Sequence, residues 1–388
     1  MVKLFSFLLL VWVASPAFSS EFLKASGSNF YYGGQKVFLS GVNFAWRSYG
    51  SDFGNGQYAS NGPALKDWIN KVKASGGNTA RVWVHVEGQV SPAFDSHGFV
   101  TSTDSKKTLI NDLSDLLDYA NGQNVFLILV LFNGALQNNS NVQNLFWDES
   151  KLNSYINNAL TPMVNALKSK PSLAAWEVLN EPEGTLQPGS DQNSCYDTST
   201  LAAQGAGWGG KKFPMKQILK TINWISSAIH NADSKALVTV GSWSELTQTD
   251  SFGYRNHYKD SCLTGAGGKS NGIINFYQMH TYSHSGKWNQ NAPFKVNRWA
   301  YNVNDKPLLI GEFASVCSQN EGIQNLYKYA YNNGYNGALT WQFNSGGDCS
   351  DTYSNQMYGM QALKGQNDQS GGKGGMVSVN INHHHHHH

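Results

Sequence analysis

The chain has 388 residues, of which 14% are charged and 13% are aromatic, and its formal net charge at pH 7 is +2. The aromatic content excludes an intrinsically disordered chain, and so small a charge gives no basis for binding nucleic acid or an anionic membrane. The charged fraction is low for a soluble protein, and Gly, Asn, Ser and aromatic residues make up the difference. Such a composition suits a neutral, hydroxylated ligand, although it is also common in secreted proteins that bind none.

The two ends of the chain resemble processing and purification segments. Residues 1–19 combine Lys3, an apolar run and the small residues Ala17 and Ser19, which predicts a secretory signal peptide. Six histidines at 383–388 indicate a purification tag. No later apolar run reaches the roughly 20 residues that a membrane span needs. We therefore expect a secreted, extracellular protein without a membrane partner.

Short apolar runs alternate with amphipathic stretches along the chain. Residues 29–34 carry a turn signal and predict a hairpin at the lower end of a barrel. Eight apolar runs predict buried strands at 37–43, 79–84, 125–131, 173–179, 236–240, 274–279, 308–311 and 337–341. Apolar residues at spacings of three and four predict helices at 64–75, 109–121, 152–168, 214–231, 295–302 and 322–332.

Proline and glycine punctuate these helices. Pro63 and Pro214 stand where a first helical turn would start, and Gly76 and Gly122 stand where helices would end.

Strands separated by helices favour parallel pairing, so the pattern predicts an α/β fold. Eight such units over residues 20–363 fit a single-domain (β/α)8 TIM barrel with long loops at its C-terminal face. An open doubly wound sheet is the alternative, but no Gly-rich phosphate loop follows any strand. Residues 364–382 form a Gly-rich tail that is too short to be an appended binding module.

In such barrels the reactive side chains stand at the C-terminal ends of the strands. Two carboxylates, Glu181 after strand four and Glu312 at the end of strand seven, would face each other across the barrel mouth. Paired carboxylates between aromatic walls suit glycosidic bond cleavage, in which one acid protonates the leaving oxygen and the other stabilises or attacks the anomeric carbon. A divalent-metal site is the alternative. It needs further ligands, and no Asp stands at any of these strand ends.

The strand ends carry short motifs in a fixed order along nearly the whole mature chain. They are Arg81, Asn180-Glu181-Pro182, His280-x-Tyr282, Gly311-Glu312-Phe313 and Trp341. In content and order they resemble glycoside hydrolase family 5 of clan A. The surrounding segments, among them Trp-Glu-Val-Leu-Asn-Glu-Pro-Glu-Gly, are most similar to the invertebrate endo-β-1,4-mannanases found in molluscs.

The resemblance implies a retaining endo-β-1,4-mannanase that acts on a β-mannan polysaccharide as a monomer, without cofactor or metal. An endo-β-1,4-glucanase of the same family is the nearest alternative, because the catalytic set is shared. A sugar-binding protein that has lost activity and a transglycosylating enzyme are the others. The two intact glutamates argue against the sugar-binding protein, since a lectin needs no facing carboxylates.

The resemblance also implies a role for each glutamate. Glu181 would be the acid/base, with a pKa raised by apolar neighbours, and Pro182 would bias its backbone toward an extended conformation. Glu312 would be the nucleophile, kept ionised by Arg81 and oriented by the Tyr282 hydroxyl. A carboxyl separation of about 5 to 5.5 Å would predict retention of anomeric configuration.

Other residues are expected to hold the substrate. Asn180 would bond the sugar 2-hydroxyl, His280 would hold Glu181, and Trp341 would form the floor under the sugar. Many family members have a His near the end of strand three, where Asn133 stands here as a candidate substrate contact. Among the remaining tryptophans, those at strand ends are predicted to be sugar platforms and those within strands to be core; the platforms are Trp46 and Trp243, and the core pair is Trp83 and Trp176.

Several polar residues receive structural interpretations. Glu177, deeper in the barrel than Glu181, is expected to be a buried acid paired with a barrel Arg or His. Glu183 and Glu87 are expected to be solvated or loop-bracing acids. A metal site that combines His280 with His85 and His284 is disfavoured, because the segment leaves a strand and not a helix. Asn138 begins the single glycosylation sequon that we find, which is weak evidence for its use.

The four cysteines allow three pairings, and no Cys-x-x-Cys pair suggests zinc. We prefer Cys195 with Cys262, because both lie on loops after neighbouring strands four and five. Cys317 and Cys349 likewise follow neighbouring strands seven and eight. Both disulfides would brace loops at the active face.

Overall fold

Eight parallel strands form the centre of the protein in a computed structural model that describes residues 21–381. The predicted signal peptide and tag lie outside these residues. The strands are β1 Leu39–Ala45, β2 Thr79–Val86, β3 Phe126–Asn133, β4 Leu173–Asn180, β5 Val238–Gly241, β6 Tyr277–His280, β7 Leu308–Phe313 and β8 Gly337–Thr340. Their order in the sheet is β5-β4-β3-β2-β1-β8-β7-β6, so neighbours in sequence are neighbours in space.

Backbone hydrogen bonds between the β5 and β6 strands and the residues next to them close the sheet into a barrel. The His280 N–H donates to the Ser242 carbonyl over 3.0 Å, and the Asn275 N–H donates to the Val238 carbonyl over 2.7 Å. Every other neighbouring pair is parallel. The predicted (β/α)8 TIM barrel is therefore confirmed.

The apolar runs predicted the strands because parallel strands are covered on both faces. All eight residues of β3, Phe-Leu-Ile-Leu-Val-Leu-Phe-Asn, are buried. Each of the eight predicted runs overlaps one barrel strand. The first begins too early, because Gln35–Val37 belongs to a separate strand. The sixth also begins too early, because Phe276 packs beneath the barrel before β6 starts.

Nine α-helices lie around the barrel: α1 Tyr58–Ala74, α2 Leu109–Gly122, α3 Ser140–Trp147, α4 Glu149–Tyr155, α5 Thr161–Leu167, α6 Met215–Ala232, α7 Asp260–Gly267, α8 Ile323–Asn332 and α9 Tyr353–Gln361, counted over residues 21–381. A π-helical turn, Ile156–Leu160, joins α4 to α5. The predicted helix at 152–168 is thus present, with a change of hydrogen-bond register in its middle. The sequence patterns did not predict α3, α7 or α9.

Two helix predictions were wrong. The stretch 295–302 contains only a 3-10 turn, Arg298–Tyr301, because the Asn297 side chain caps it and Asn302 ends it with a positive φ of 58°. The helix start assigned to Pro63 is wrong as well. The helix α1 begins at Tyr58 and includes Pro63 in its second turn, where the ring removes one backbone hydrogen bond of the helix.

Further 3-10 turns lie on the connections: Pro182–Thr185, Glu245–Thr247, Ser251–Gly253, His284–Gly286 and Ser315–Cys317. Ala93–Phe94 and Val100–Ser102 form a small antiparallel pair. These turns lengthen the loops at the C-terminal ends of the strands, where the candidate residues stand.

A five-stranded sheet forms the floor of the barrel. Its strands are Lys24–Ser26, Asn29–Tyr32, Gln35–Val37, Gly375–Met376 and Asn367–Asp368. Phe30 packs edge-on against Phe276 with ring centroids 5.0 Å apart, and Tyr32 packs against Phe126 at 5.5 Å. The predicted hairpin at the lower end is therefore confirmed. The segment at 364–382, predicted as a tail, supplies two of these strands and buries Val377, Val379 and Ile381.

Both predicted disulfides are present. Cys195 is bonded to Cys262, and Cys317 is bonded to Cys349. Each pair joins the segments that follow neighbouring barrel strands, as expected, although Cys262 lies in the helix α7 and not on a loop. Between residues 21 and 381, no helix combines the length and apolarity needed to cross a membrane.

Candidate active site

The Arg81 guanidinium lies at the centre of the polar cluster inside the barrel mouth. Arg81 extends from β2, is fully buried, and uses all five of its N–H groups. Nε and NH2 donate to the Glu177 carboxylate over 2.8 and 2.5 Å, and NH2 also donates to Asn180 over 2.7 Å. NH1 donates to Asn43 over 2.8 Å and to Glu312 over 2.7 Å. One side chain therefore connects β1, β2, β4 and β7.

Glu177 is the buried counter-ion of Arg81, as the sequence predicted. Its side chain is fully buried, and both of its oxygens accept from the guanidinium. Gly241, at the end of β5, leaves room for this pair. A Cβ at Gly241 would lie 3.0 Å from Arg81 Nη2 and 2.5 Å from Glu177 Oε2, and the second distance is shorter than real Cβ atoms show.

Glu312 at the end of β7 is held by donors on both oxygens. Arg81 donates to Oε2, and the Tyr282 hydroxyl donates to Oε1 over 2.7 Å. Burial raises the pKa of Glu312, while charge and hydrogen-bond contributions from His280, Arg81 and Tyr282 oppose that rise. Arg81 and Tyr282 are the partners that the sequence predicted for Glu312, although the pKa of Glu312 lies above the ordinary value.

Glu181 adopts a left-handed backbone conformation, with φ 40° and ψ 59°. The prediction that Pro182 would keep it extended is wrong. Such a conformation costs about 1–3 kcal/mol for a residue with a side chain. Tertiary contacts maintain it: the Glu181 N–H donates to the Gly241 carbonyl over 2.6 Å, and the Glu181 carbonyl accepts from Gly184 in the following 3-10 turn. The local preference of a residue before proline is thus overridden.

The Glu181 side chain points into the barrel mouth toward His280. Its Oε2 lies 2.7 Å from His280 Nδ1. Burial raises the pKa of Glu181 to about 7, with Arg81 opposing the rise and Glu177 adding to it. Burial lowers the pKa of His280 to about 4. At neutral pH the histidine is therefore uncharged, and Glu181 can carry a proton.

One ligand atom each from Glu181, His280 and Glu312 lies within 4.8 Å of the other two. This spacing could bring three ligands to a metal ion. However, Oε2 of Glu312 already accepts a hydrogen bond from Arg81, and a cation there would face the guanidinium charge. The arrangement is better suited to proton transfer and nucleophilic attack than to metal binding.

A cleft of about 500 Å³ opens above the two glutamates. Of the predicted residues, Glu181, Glu312, Tyr282, Trp243 and Trp341 line it. Loop residues that the sequence patterns missed complete the wall: Gln204, Gly205, Trp208, His284 and residues 346–349. Trp208 stacks on Trp243 with ring centroids 5.1 Å apart and planes 11° apart. The sequence signal that could have predicted this wall was the high Trp and Gly content of these loops.

The other predicted substrate contacts lie beneath this wall. Trp46 packs against Trp341 at 5.8 Å and against Trp83 at 5.1 Å. Asn133 accepts from Asn180 Nδ2 over 3.0 Å and donates to the Tyr49 hydroxyl over 3.1 Å. Asn133 therefore supports Asn180, and both residues are 4% exposed.

The residues given structural interpretations also have identified partners. Glu183 is fully buried and accepts from Thr247, Tyr258 and other donors at the β5 loop, so it braces the loop and is not solvated. Glu87 accepts from the Tyr49 hydroxyl. His85 is buried between Ser91 and Tyr155, away from His280.

The family model "Cellulase (glycosyl hydrolase family 5)" matches residues 34–347. A mannan endo-1,4-beta-mannosidase of Mytilus edulis is 40% identical over 349 residues, which cover 89% of this chain and 93% of that protein. The crystal structure of an endo-1,4-beta-mannanase from Eisenia fetida superposes with a TM-score of 0.91 at 46% identity, covering 93% of this chain and all of that one. A beta-1,4-mannanase from the sea hare Aplysia kurodai gives a TM-score of 0.86 at 39% identity, covering 92% and 100%.

The fit around Gly241 can be tested by stability. We expect Gly241→Ala to lower the free energy of unfolding by about 1–3 kcal/mol, because the added methyl group displaces the buried Arg81–Glu177 pair. Gly122→Ala is the control, since a Cβ there would meet nothing within 4 Å. Urea unfolding of both variants measures the difference. Equal stabilities would contradict the close packing described here.

Proposed function

Because the chain belongs to glycosyl hydrolase family 5, we propose that it is a secreted endo-β-1,4-mannanase that hydrolyses internal bonds of β-mannan with retention of configuration. The observation that carries this proposal is the pair of facing carboxylates at the base of the cleft. Oxygens of Glu181 and Glu312 lie within 4.8 Å of each other. So short a distance between two oxygens supports a retaining mechanism, in which the carboxyl groups are about 5 to 5.5 Å apart, over an inverting one, in which they are about 6.5 to 9.5 Å apart.

In the first step Glu312 attacks the anomeric carbon. The carboxylate oxygen forms a bond to C1 while the bond from C1 to the glycosidic oxygen breaks. Glu181 gives its proton to that leaving oxygen, which departs as the hydroxyl of the shortened chain. Its pKa of about 7 supports the acid role. Two donors on Glu312, from Arg81 and Tyr282, support the ionised state that a nucleophile needs.

In the second step water replaces Glu312 on the sugar. The ionised Glu181 takes a proton from the water while the water oxygen bonds to C1 and the bond from C1 to Glu312 breaks. Each displacement inverts the anomeric carbon, so the product has the configuration of the substrate. Both glutamates then return to their starting states, and no cofactor is consumed.

The walls of the cleft supply the sugar contacts in this proposal. Pyranose rings stack on aromatic faces without any need for charge, and the rings of Trp341, Trp243 and Trp208 border the cleft. Asn180 receives Arg81 on its oxygen and gives one amide hydrogen to Asn133. Its second amide hydrogen is available to the sugar 2-hydroxyl, which is axial in mannose and equatorial in glucose.

Secretion is part of the same proposal. Residues 1–19 carry the pattern of a signal peptide, and all four cysteines are paired in disulfides. Disulfides of this kind persist in oxidising, extracellular compartments. We further propose that the protein acts as a monomer on its polysaccharide, because a single chain supplies every group that the two steps require.

The substrate is tested by incubating the purified protein with linear mannan, galactomannan and carboxymethyl cellulose in parallel. We expect reducing ends and short manno-oligosaccharides from the two mannans, because the proteins that this chain resembles at 39–46% identity are mannanases. Glu312→Ala protein is the control for contaminating activity. Cleavage of the cellulose derivative alone would assign a glucanase, and no cleavage at all would contradict the proposed function.

The roles of the two glutamates predict different behaviour of their alanine variants. Both Glu181→Ala and Glu312→Ala should lose about 10²-fold or more of the turnover on mannan, because each lacks one group needed for bond cleavage. With an aryl β-mannoside of good leaving group and added azide, Glu181→Ala should form the β-mannosyl azide. Glu312→Ala should form the α-mannosyl azide.

The anomeric configuration is read by NMR of the isolated azide. Glu149→Ala is the matched control, because that exposed carboxylate pairs with Lys220 on the helical surface and should leave turnover unchanged. The α-mannosyl azide from Glu181→Ala together with the β-mannosyl azide from Glu312→Ala would exchange the roles assigned to the two glutamates.

The pH dependence follows from the two pKa directions. The rate constant kcat/KM on mannan should fall as pH rises through about 7, because Glu181 then loses its proton. It should also fall at low pH, as Glu312 gains a proton at a pKa above its ordinary value. A substrate with a good leaving group needs no proton from Glu181, so its alkaline fall should be much weaker. The same alkaline fall for both substrates would contradict this assignment.

A further inference from the structure

Gln278 lies on β6, two residues before His280, and is fully buried beneath the catalytic pair. Its side-chain Nε2 donates to Glu177 Oε1 over 2.7 Å, and its Oε1 lies 2.8 Å from His280 Nε2. The motif prediction did not include this residue. It connects the Arg81–Glu177 pair to the histidine that contacts Glu181.

The orientation of the Gln278 amide is determined by its neighbours. Arg81 is always protonated and donates to both oxygens of Glu177, so Glu177 acts as an acceptor toward Gln278. A reversed amide would bring two acceptor oxygens to 2.7 Å from each other. Gly311 on β7 makes room for the amide, since a Cβ there would lie 2.0 Å from Gln278 Oε1. The carbonyl oxygen therefore faces His280.

We propose that Gln278 sets the tautomer of His280, placing its single proton on Nε2 and leaving Nδ1 as an acceptor that holds the proton of Glu181. The ring nitrogen Nε2 donates to the Gln278 carbonyl, and a neutral imidazole then has a lone pair on Nδ1. The Glu181 oxygen 2.7 Å away must supply the hydrogen of that bond. The inference deepens the proposed function, because it rests on Glu181 being the acid/base.

This tautomer affects both steps of the reaction. Before cleavage, the bond to Nδ1 stabilises the protonated form of Glu181. After Glu181 has given up its proton, a carboxylate oxygen and a nitrogen lone pair face each other across 2.7 Å. Repulsion between these two acceptors makes Glu181 a stronger base toward the incoming water. Gln278 is thus a positioning residue that acts through His280.

Removal of the Gln278 carbonyl should allow His280 to change its tautomer. The charged and titratable groups around Glu181 and His280 are Arg81 on β2, Glu177 on β4, Glu183 in the turn after β4, Tyr282 after β6, and Glu312 on β7, whose Oε2 lies 3.5 Å from His280 Nδ1. None of these changes in Gln278→Met. The ring can then carry its proton on Nδ1 and donate to the Glu181 carboxylate. That bond stabilises the ionised form and lowers the pKa of Glu181.

The direct test is ¹⁵N NMR of the histidine ring in the intact protein, with the His280 signal assigned by comparison with His280→Gln. The wild-type ring should show a one-bond N–H coupling at Nε2 and none at Nδ1 across neutral pH. Gln278→Met should show the proton on Nδ1. Gln278→Glu should keep it on Nε2, because a carboxyl oxygen also accepts from Nε2. A proton on Nδ1 in the wild-type protein would overturn the proposal, even if Gln278→Met does not fold.

The pH dependence of kcat/KM provides a second test, because a purely structural role of Gln278 would not change it. In Gln278→Met the alkaline fall of kcat/KM on mannan should shift to lower pH by about one unit, with little change on an aryl substrate of good leaving group. Gln248→Met is the matched control, because Gln248 accepts from the Gln278 backbone N–H and does not contact His280. Equal losses on both substrates without a pH shift would contradict the inference.

The two proposals fail separately. Absence of manno-oligosaccharides with the wild-type protein would overturn the proposed function and leave the tautomer open to measurement by NMR. Normal mannan cleavage with the proton on Nδ1 would overturn the inference about Gln278 alone.

Discussion

The buried guanidinium of Arg81 is the interaction on which the catalytic end of the barrel depends. A buried cation is stable in a protein interior only when its charge is balanced and its donors are satisfied. Here Glu177 and Glu312 balance the charge, and Asn43 and Asn180 take the remaining hydrogens. The positions of Glu312, the proposed nucleophile, and of Asn180, the proposed sugar contact, are thus consequences of balancing one buried cation. Glycine at position 241 is required for the same reason, because the cluster occupies the space of a side chain.

A second consequence of this cluster is the difference between the two glutamates. Glu312 accepts from Arg81 and from Tyr282, whereas Glu181 faces an imidazole whose tautomer we assign to the acceptor form at that position. The two glutamates thereby differ in proton affinity because their hydrogen-bond partners differ, and not because of burial alone. Burial acts on both residues, so the hydrogen-bond partners decide which one keeps the proton.

The sequence predicted the barrel and the two glutamates because both depend on local patterns. Strands such as β3 are continuous apolar runs, and Glu181 and Glu312 stand next to such runs. The wall of the cleft could not be predicted in the same way. Trp208 and residues 346–349 lie on long loops, where no periodicity relates sequence position to location. The conformation of Glu181 was missed because the rule for a residue before proline is local, while contacts with β5 determine the outcome.

The floor sheet brings together residues from opposite ends of the described chain. Met376 pairs with Val37, and the Phe38 N–H donates to the Met376 carbonyl. During synthesis the floor therefore stays open until residue 376 has left the ribosome. The hairpin covers Phe126 and Phe276 from below. The strand that completes the floor next to this hairpin comes from a distant part of the sequence. Such non-local closure slows folding and prolongs the exposure of apolar surface.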